Sequence, residues 1–227
     1  MARQSLKATG VEVRTAAQPP PGPAYDAVIA TCAVTRIPAT WLDACREGGA
    51  IILPWSPHPA SQSTPIVAMH KNETVSAGPF VREGAFMLDR TQRPGELRFP
   101  GLGQAPTHSA DFPASSIDLI NSGVLTQLML MLPGVRLGTG VRPFQGGHGR
   151  IVWMGAKEAW AYIWPDGTVT SAGQCPLQES AARAYRLLEE TGFPGIDAFT
   201  LNVSPDRASY RVACLSSGQV WHHPVAP

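Results

Sequence analysis

Three stretches of this sequence hold residue types that could do chemistry. Thr31, Cys32 and Ala33 close a short apolar run, Ala27 to Cys32 (AVIATC). Open α/β sheets place their ligands beyond such strand ends, although the same residues also suit a tight strand-to-helix connection and nothing more. Cys32 acts as a nucleophile only if a base or cation lowers its pKa, and the sequence names no such neighbour. Gly146-Gly147-His148-Gly149 has the glycine content of a phosphate loop. The lysine and hydroxyl residue that such a loop needs do not follow, so it reads as a turn. His222-His223 could hold a metal, yet adjacent histidines on an extended chain point to opposite sides and no second pair exists. The sequence contains no Gly-x-Ser-x-Gly elbow and no His-Glu-x-x-His helix, so hydrolase chemistry has no support.

The elements that must position Thr31 to Ala33 form one strand-helix-strand unit, Tyr25 to Trp55. The nearly continuous apolar run Ala27 to Cys32 is the pattern of a strand buried on both faces of a parallel sheet. Pro38 stands where a helix can begin, because its missing N–H has no partner in a first turn anyway. Trp41, Leu42 and Cys45 follow at helical spacing. Gly48-Gly49 is expected to end that helix, and Ala50 to Trp55 to form the second strand, stopped by Pro54 and Pro57.

Ahead of this unit, residues 2–9 read as the end of a helix closed by Gly10, and Val11 to Arg14 as a strand. Behind it, Pro65 to His70 and Val75 to Asp89 read as strands joined through Lys71-Asn72-Glu73. Residues 91–113, rich in Gly and Pro, read as a linker. Ser115, three residues ahead of Asp118, makes a capping box that opens an apolar helix running through Leu132. Ile151 to Met154 and Trp160 to Trp164 then alternate as strands, with Asp166-Gly167 as a hairpin turn. Leu177 to Thr191 has the apolar spacing of one helical face, and Phe199 to Val203 with Ser209 to Cys214 closes the chain as a strand pair. The expected domains are 1–90, an α/β core, and 114–227, a smaller α+β unit.

Composition limits the function classes. At 227 residues with 44% apolar and 15% charged residues, the chain can bury a sizeable core. Eighteen basic residues against seventeen acidic ones leave almost no net field, which disfavours nucleic acid or an anionic membrane as the main partner. Four widely spaced cysteines without a Cys-x-x-Cys argue against a zinc site or a disulfide framework. No apolar run approaches the ~18 residues of a membrane span, so the expected location is the cytoplasm.

The Tyr25-Trp55 unit also carries a resemblance. Tyr25-Asp26, Ile29-Ala30-Thr31-Cys32, Arg36-Ile37-Pro38, a helix, and Gly48-Gly49 before Ile51-Ile52-Leu53-Pro54 resemble the second half of the protein-L-isoaspartate O-methyltransferase family, closest to its longer actinobacterial members. Gly78 to Leu88 (GPFVREGAFML) is similar to the family's late strands, and Trp160 to Gly173 and Gly192 to Ser204 resemble the accessory C-terminal region of those longer members.

The resemblance implies an α/β fold with a partial Rossmann-like methyltransferase sheet followed by the smaller α+β unit. It implies methyl transfer from S-adenosylmethionine to a carboxylate of protein or peptide (iso)aspartate. By the same resemblance Thr31, Cys32, Ala33, Arg36, Ile37 and Pro38 border the substrate pocket. Asp89 falls near a cofactor-side position where the family has a hydroxyl residue, a departure from the pattern. The family's glycine-rich cofactor turn has no counterpart in the sequence, and Thr15-Ala16-Ala17-Gln18-Pro19 stands where an Asp-Gly pair is expected. The expectation is therefore a truncated enzyme, weak or inactive as this chain, that does not bind S-adenosylmethionine at micromolar concentration. The alternative is a non-enzymatic module that binds a peptide or a partner chain. Loss of neighbouring strands would leave an apolar sheet edge open to self-association.

Overall fold

The computed structural model describes residues 22, 25–58, 63–93, 99–101, 103–204, 206 and 209–225. The expected helix at 2–9 and strand at Val11–Arg14 lie outside the described residues.

The fold is mixed α/β, built on two sheets. The first has seven strands in the order β1-β2-β3-β4-β10-β11-β12: β1 Tyr25–Ile29, β2 Cys45–Pro54, β3 Thr64–His70, β4 Ser76–Gly84, β10 Phe199–Val203, β11 Ser209–Cys214 and β12 Val220–Pro224. The second has five, in the order β5-β9-β8-β7-β6: β5 His108–Asp111, β6 Arg136–Phe144, β7 Gly147–Ala156, β8 Ala159–Ile163 and β9 Thr168–Ala172. Four helices accompany them among the described residues: α1 Ala39–Ala44, α2 Ser116–Ser122, α3 Leu125–Met131 and α4 Leu177–Glu190. The larger apolar cluster runs from Val34 and Trp55 through Leu128 and Leu130 to Phe199 and Cys214, and a smaller one gathers Ile151, Trp153, Trp160 and Tyr162 on the second sheet.

The strand-helix-strand unit forms, with three corrections. β1 starts and stops earlier than Ala27 to Cys32, and its residues are mostly exposed, Ile29 at 66%. β1 is the outermost described strand of its sheet, paired in parallel with β2 alone, and its side chains are not covered on both faces as the apolar run implies. α1 ends at Ala44 rather than at the glycines. Gly48-Gly49 instead lies inside β2, where Gly48 takes φ 73° and the register against β1 shifts between Tyr25 and Ala27. A Cβ on Gly49 would stand 2.7 Å from the Asp26 carbonyl, so the glycine lets β1 approach. Third, β1–β2 is the one parallel pair of named strands. The other pairs are antiparallel, which confines the Rossmann-like character to this unit.

The capping box at Ser115 forms as read: Ser115 Oγ accepts from Asp118 N at 3.1 Å, and Ser115 N donates to the Asp118 carboxylate. The helix behind it is two helices, because Gly123 adopts φ 75° and closes α2 before α3 begins. The 91–113 stretch is more structured than a linker, since β5 joins the second sheet there. The ladder also groups the C-terminal strands differently from the expected division. β10 pairs with β4, so three strands from the expected accessory unit complete the first sheet.

α4 buries Leu177, Ala181, Ala184 and Leu188 and exposes Arg183, as its spacing requires. The Asp166-Gly167 hairpin and the β10–β11 pair fall where the sequence places them. Gly146 turns the β6–β7 hairpin, and His148 lies in β7. His222-His223 is part of β12 rather than a loose tail. His223 is buried and His222 exposed, the opposed directions that an extended chain dictates.

Candidate functional site

Beyond the carboxyl ends of β1 and β2 the chain is held by its own polar groups. Ala33 N donates to Met87 O at 2.9 Å and Val34 N to Pro54 O at 3.0 Å, so residues 33–34 run as a parallel bridge between Trp55 and Leu88. Thr35 N and Arg36 N both donate to Gln92 Oε1, at 2.9 and 2.8 Å. Ile37 N donates to the Tyr210 hydroxyl at 2.8 Å, across 173 positions of sequence. Five successive amides are thus engaged. The carbonyls match them: Ala33 O accepts from Asp89 N, Val34 O from Ser56 N, Thr35 O from Trp55 Nε1 and Arg36 O from Gln92 Nε2 at 2.7 Å. Buried backbone groups need such partners, and here side chains supply them where no strand does.

The six residues expected at the substrate pocket fall on this segment. Ala33 and Ile37 are buried and belong to its packing, Cys32 and Pro38 are half-buried, and Thr31 and Arg36 are exposed. Burial raises the Cys32 thiol above its ordinary value, and the Asp89 charge raises it further, so it stays protonated at neutral pH and is a poor nucleophile. Asp89 is brought beside this segment. Its Oδ1 accepts from Thr91 N at 2.9 Å and from Thr91 Oγ1 at 3.0 Å, capping a short 3-10 turn, Arg90–Gln92. That turn aims the Gln92 amide at Thr35 and Arg36, so the Asp89 carboxylate shapes the wall of the loop.

A second group lies past the end of β2. Ser56 Oγ donates to His58 O at 2.6 Å, and His223 Nε2 donates to Leu130 O at 2.7 Å, which leaves His223 Nδ1 as a buried atom without a partner. His58 Nε2 is likewise buried and unpartnered. The His223 ring meets Trp55 edge-on at 5.8 Å. Burial lowers the His58 pKa to about 4, helped by the nearby charges of His223 and Arg136, and burial also lowers that of His223.

The sequence singles out none of Gln92, Tyr210 and His58 as site residues, and it offers His223 only as half of a metal-holding pair. Asp89-Arg90-Thr91 is a local signal for a capped turn, but nothing local points Gln92 or Tyr210 at a loop so far away in sequence. Among the described residues no group of three or more His, Cys, Asp or Glu side chains is arranged to hold a metal ion. No described helix is long and apolar enough to cross a membrane. Cys32, Cys45, Cys175 and Cys214 are all free thiols.

Residues 17–82, the stretch that contains this loop, match the family model for protein-L-isoaspartate(D-aspartate) O-methyltransferase. Over that stretch the chain is similar to the isoaspartyl methyltransferases. A solved structure described as a protein-L-isoaspartate O-methyltransferase aligns with 94% of this chain and 63% of its own length, at 17% identity and a TM-score of 0.40. This chain therefore spans less than two thirds of that protein. No curated protein matches the chain.

The cofactor that the family implies does not fit the loop. A bound S-adenosylmethionine needs backbone donors turned toward it, as at a glycine-rich turn before a helix. The amides of residues 33–37 are all engaged internally, the Asp89 oxygen that caps the turn is occupied, and α1 is six residues long with no side-chain cap.

Proposed function

We propose that this chain forms the acceptor side of a carboxyl O-methyltransferase acting on protein or peptide (iso)aspartate. Of the six expected residues, Thr31, Cys32, Arg36 and Pro38 form the wall against which the acceptor is held, and the buried Ala33 and Ile37 back it. The observation that carries this reading is the clamped loop: Gln92, Tyr210 and Trp55 fix the backbone of Thr35 to Ile37, so the exposed Arg36 side chain starts from a defined place. A guanidinium presents paired donors that match a carboxylate, the group an isoaspartyl residue carries. Fixing the carrier of that group reduces the ordering cost of binding.

Methyl transfer rests on bringing donor and carboxylate into line, and most of its rate comes from that alignment. Under this reading the described loop supplies the acceptor side of that alignment and not the donor side. The saturated amides equally favour the second reading, a non-enzymatic peptide- or partner-binding module. Calorimetry separates the two. Under the methyltransferase reading an isoaspartyl peptide binds better than the same peptide with ordinary aspartate, while S-adenosylhomocysteine shows no low-micromolar binding. Equal affinity for the two peptides overturns the acceptor assignment, and low-micromolar binding of S-adenosylhomocysteine overturns the account of the cofactor.

Association between copies through β1 belongs to the same proposal. Its outer edge has no described neighbour, and Tyr25 and Ile29 are exposed there. Exposed apolar edges recruit further strands. Light scattering after size exclusion checks this: a mass that rises with concentration is expected, and a constant monomer mass contradicts it.

A further inference from the structure

Glu83, in β4, has no part in the loop described above. Ser63 Oγ and Thr126 Oγ1 both donate to its Oε2, each at 2.7 Å, from the residue ahead of β3 and from α3. Among the described residues its other oxygen has no partner and no cation pairs with the carboxylate. The same three side chains line a half-enclosed cavity of about 150 Å³, whose remaining walls are mainly apolar, from Ile120, Leu125, Met129 and Leu137. Glu83 is half-buried at this apolar wall and held by two hydroxyls, with no described cation beside it, so a positive or strongly donating group entering the cavity would gain a charge-assisted hydrogen bond to it.

We propose that this cavity binds a primary alkylammonium group, with Glu83 as its counter-ion and the apolar walls around its methylenes. Size supports the assignment, since roughly 150 Å³ is enough to take in a group about as large as benzene. A chain of four carbons ending in an ammonium fits that volume. The chemistry is that of a free monoamine or of a lysine side chain on another protein. Ser63 and Thr126 hold Oε2, which leaves Oε1 to accept from the ammonium. The proposal does not rest on the methyltransferase reading.

The test is titration of the full chain with n-butylammonium chloride, followed by calorimetry and by NMR shifts of Thr126 and Met129, against n-butanol at equal concentration and against sodium chloride at equal ionic strength. Binding on the order of millimolar is expected for so small a ligand. n-Butanol should bind at least tenfold more weakly. Glu83→Gln keeps an acceptor for both hydroxyls and should weaken n-butylammonium binding at least tenfold. Ile120→Phe, which narrows the cavity without touching the carboxylate, should weaken it as well. An acetylated, amidated Gly-Lys-Gly peptide distinguishes the sources: its binding assigns the lysine side chain, and binding of n-butylammonium alone assigns the free amine. Absence of n-butylammonium binding, affinity equal to that of n-butanol, or affinity unchanged in both variants overturns the proposal.

Discussion

The loop Ala33 to Ile37, which is bonded to Trp55 Nε1, and the imidazoles of His58 and His223, the second packed on Trp55, treat their polar groups in opposite ways. Every amide of the loop has an acceptor, supplied by Met87, Pro54, Gln92 and Tyr210. The two histidines each leave a buried nitrogen without a partner. A saturated loop has one low-energy arrangement, and neutral partners hold it over a wide range of pH. An unpartnered buried imidazole is stable only while it is neutral, so its neighbourhood is tied to proton concentration. Trp55 thus joins a rigid element to a labile one.

The largest effect that would sharpen this contrast is acid destabilisation. The His58 pKa is held at about 4, below its ordinary 6.5. Its stabilising contribution is therefore complete above pH 6.5, falls as the unfolded chain takes up a proton, and is lost by about pH 4. A depression of that size corresponds to roughly 3 kcal/mol, and His223 shifts in the same direction. Denaturant unfolding at a series of pH values should show this decline, and His58→Phe should flatten most of it. A profile that is level between pH 7 and 4 would break the contrast.

On the rigid side, Gln92→Ala should cost about 2 kcal/mol, because it removes one acceptor for two amides and the donor for Arg36 O. Its unfolding free energy should fall by the same amount at pH 5 and pH 8. Tyr210→Phe is smaller in chemistry and effect. It strands the Ile37 N–H alone, and about 1 kcal/mol is expected. Hydrogen exchange at Ile37 should accelerate in this variant while that at Val34, bonded to Pro54 O, does not.

Much of the fold was legible because it is written locally. The capping box at Ser115, the hairpin at Asp166-Gly167, the α4 face and the β10–β11 pair all depend on residues a few positions apart. What misled was the environment of β1. AVIATC has the composition of a strand covered on both faces, but composition does not say how many neighbours a strand finds, and β1 has β2 alone among the described residues. Gly48-Gly49 reads equally as a helix end or as a bulge, and the close approach of β1 decides for the bulge.

The site was legible only in part. Thr31 to Pro38 could be placed at a strand end from residue order, and the likeness to the isoaspartyl methyltransferases covers that segment. The residues that hold the segment could not be found that way. Gln92 is 56 positions from Arg36 and Tyr210 is 173 from Ile37, and a glutamine or tyrosine in isolation looks like any surface or core residue. Glu83 was hidden for the same reason, since its partners Ser63 and Thr126 meet it only across the fold.

The central claim is that the clamped loop presents Arg36 to an acceptor carboxylate. Fluorescence anisotropy with a labelled isoaspartyl peptide tests it most directly, on the unaltered chain, Arg36→Ala and Gln92→Ala at pH 7.5. Removing a charge-assisted carboxylate contact costs roughly 1.5–3 kcal/mol, so Arg36→Ala should weaken binding at least tenfold. Gln92→Ala should weaken it by a smaller factor, through loss of loop order alone. Peptide affinity unchanged in Arg36→Ala would contradict the account.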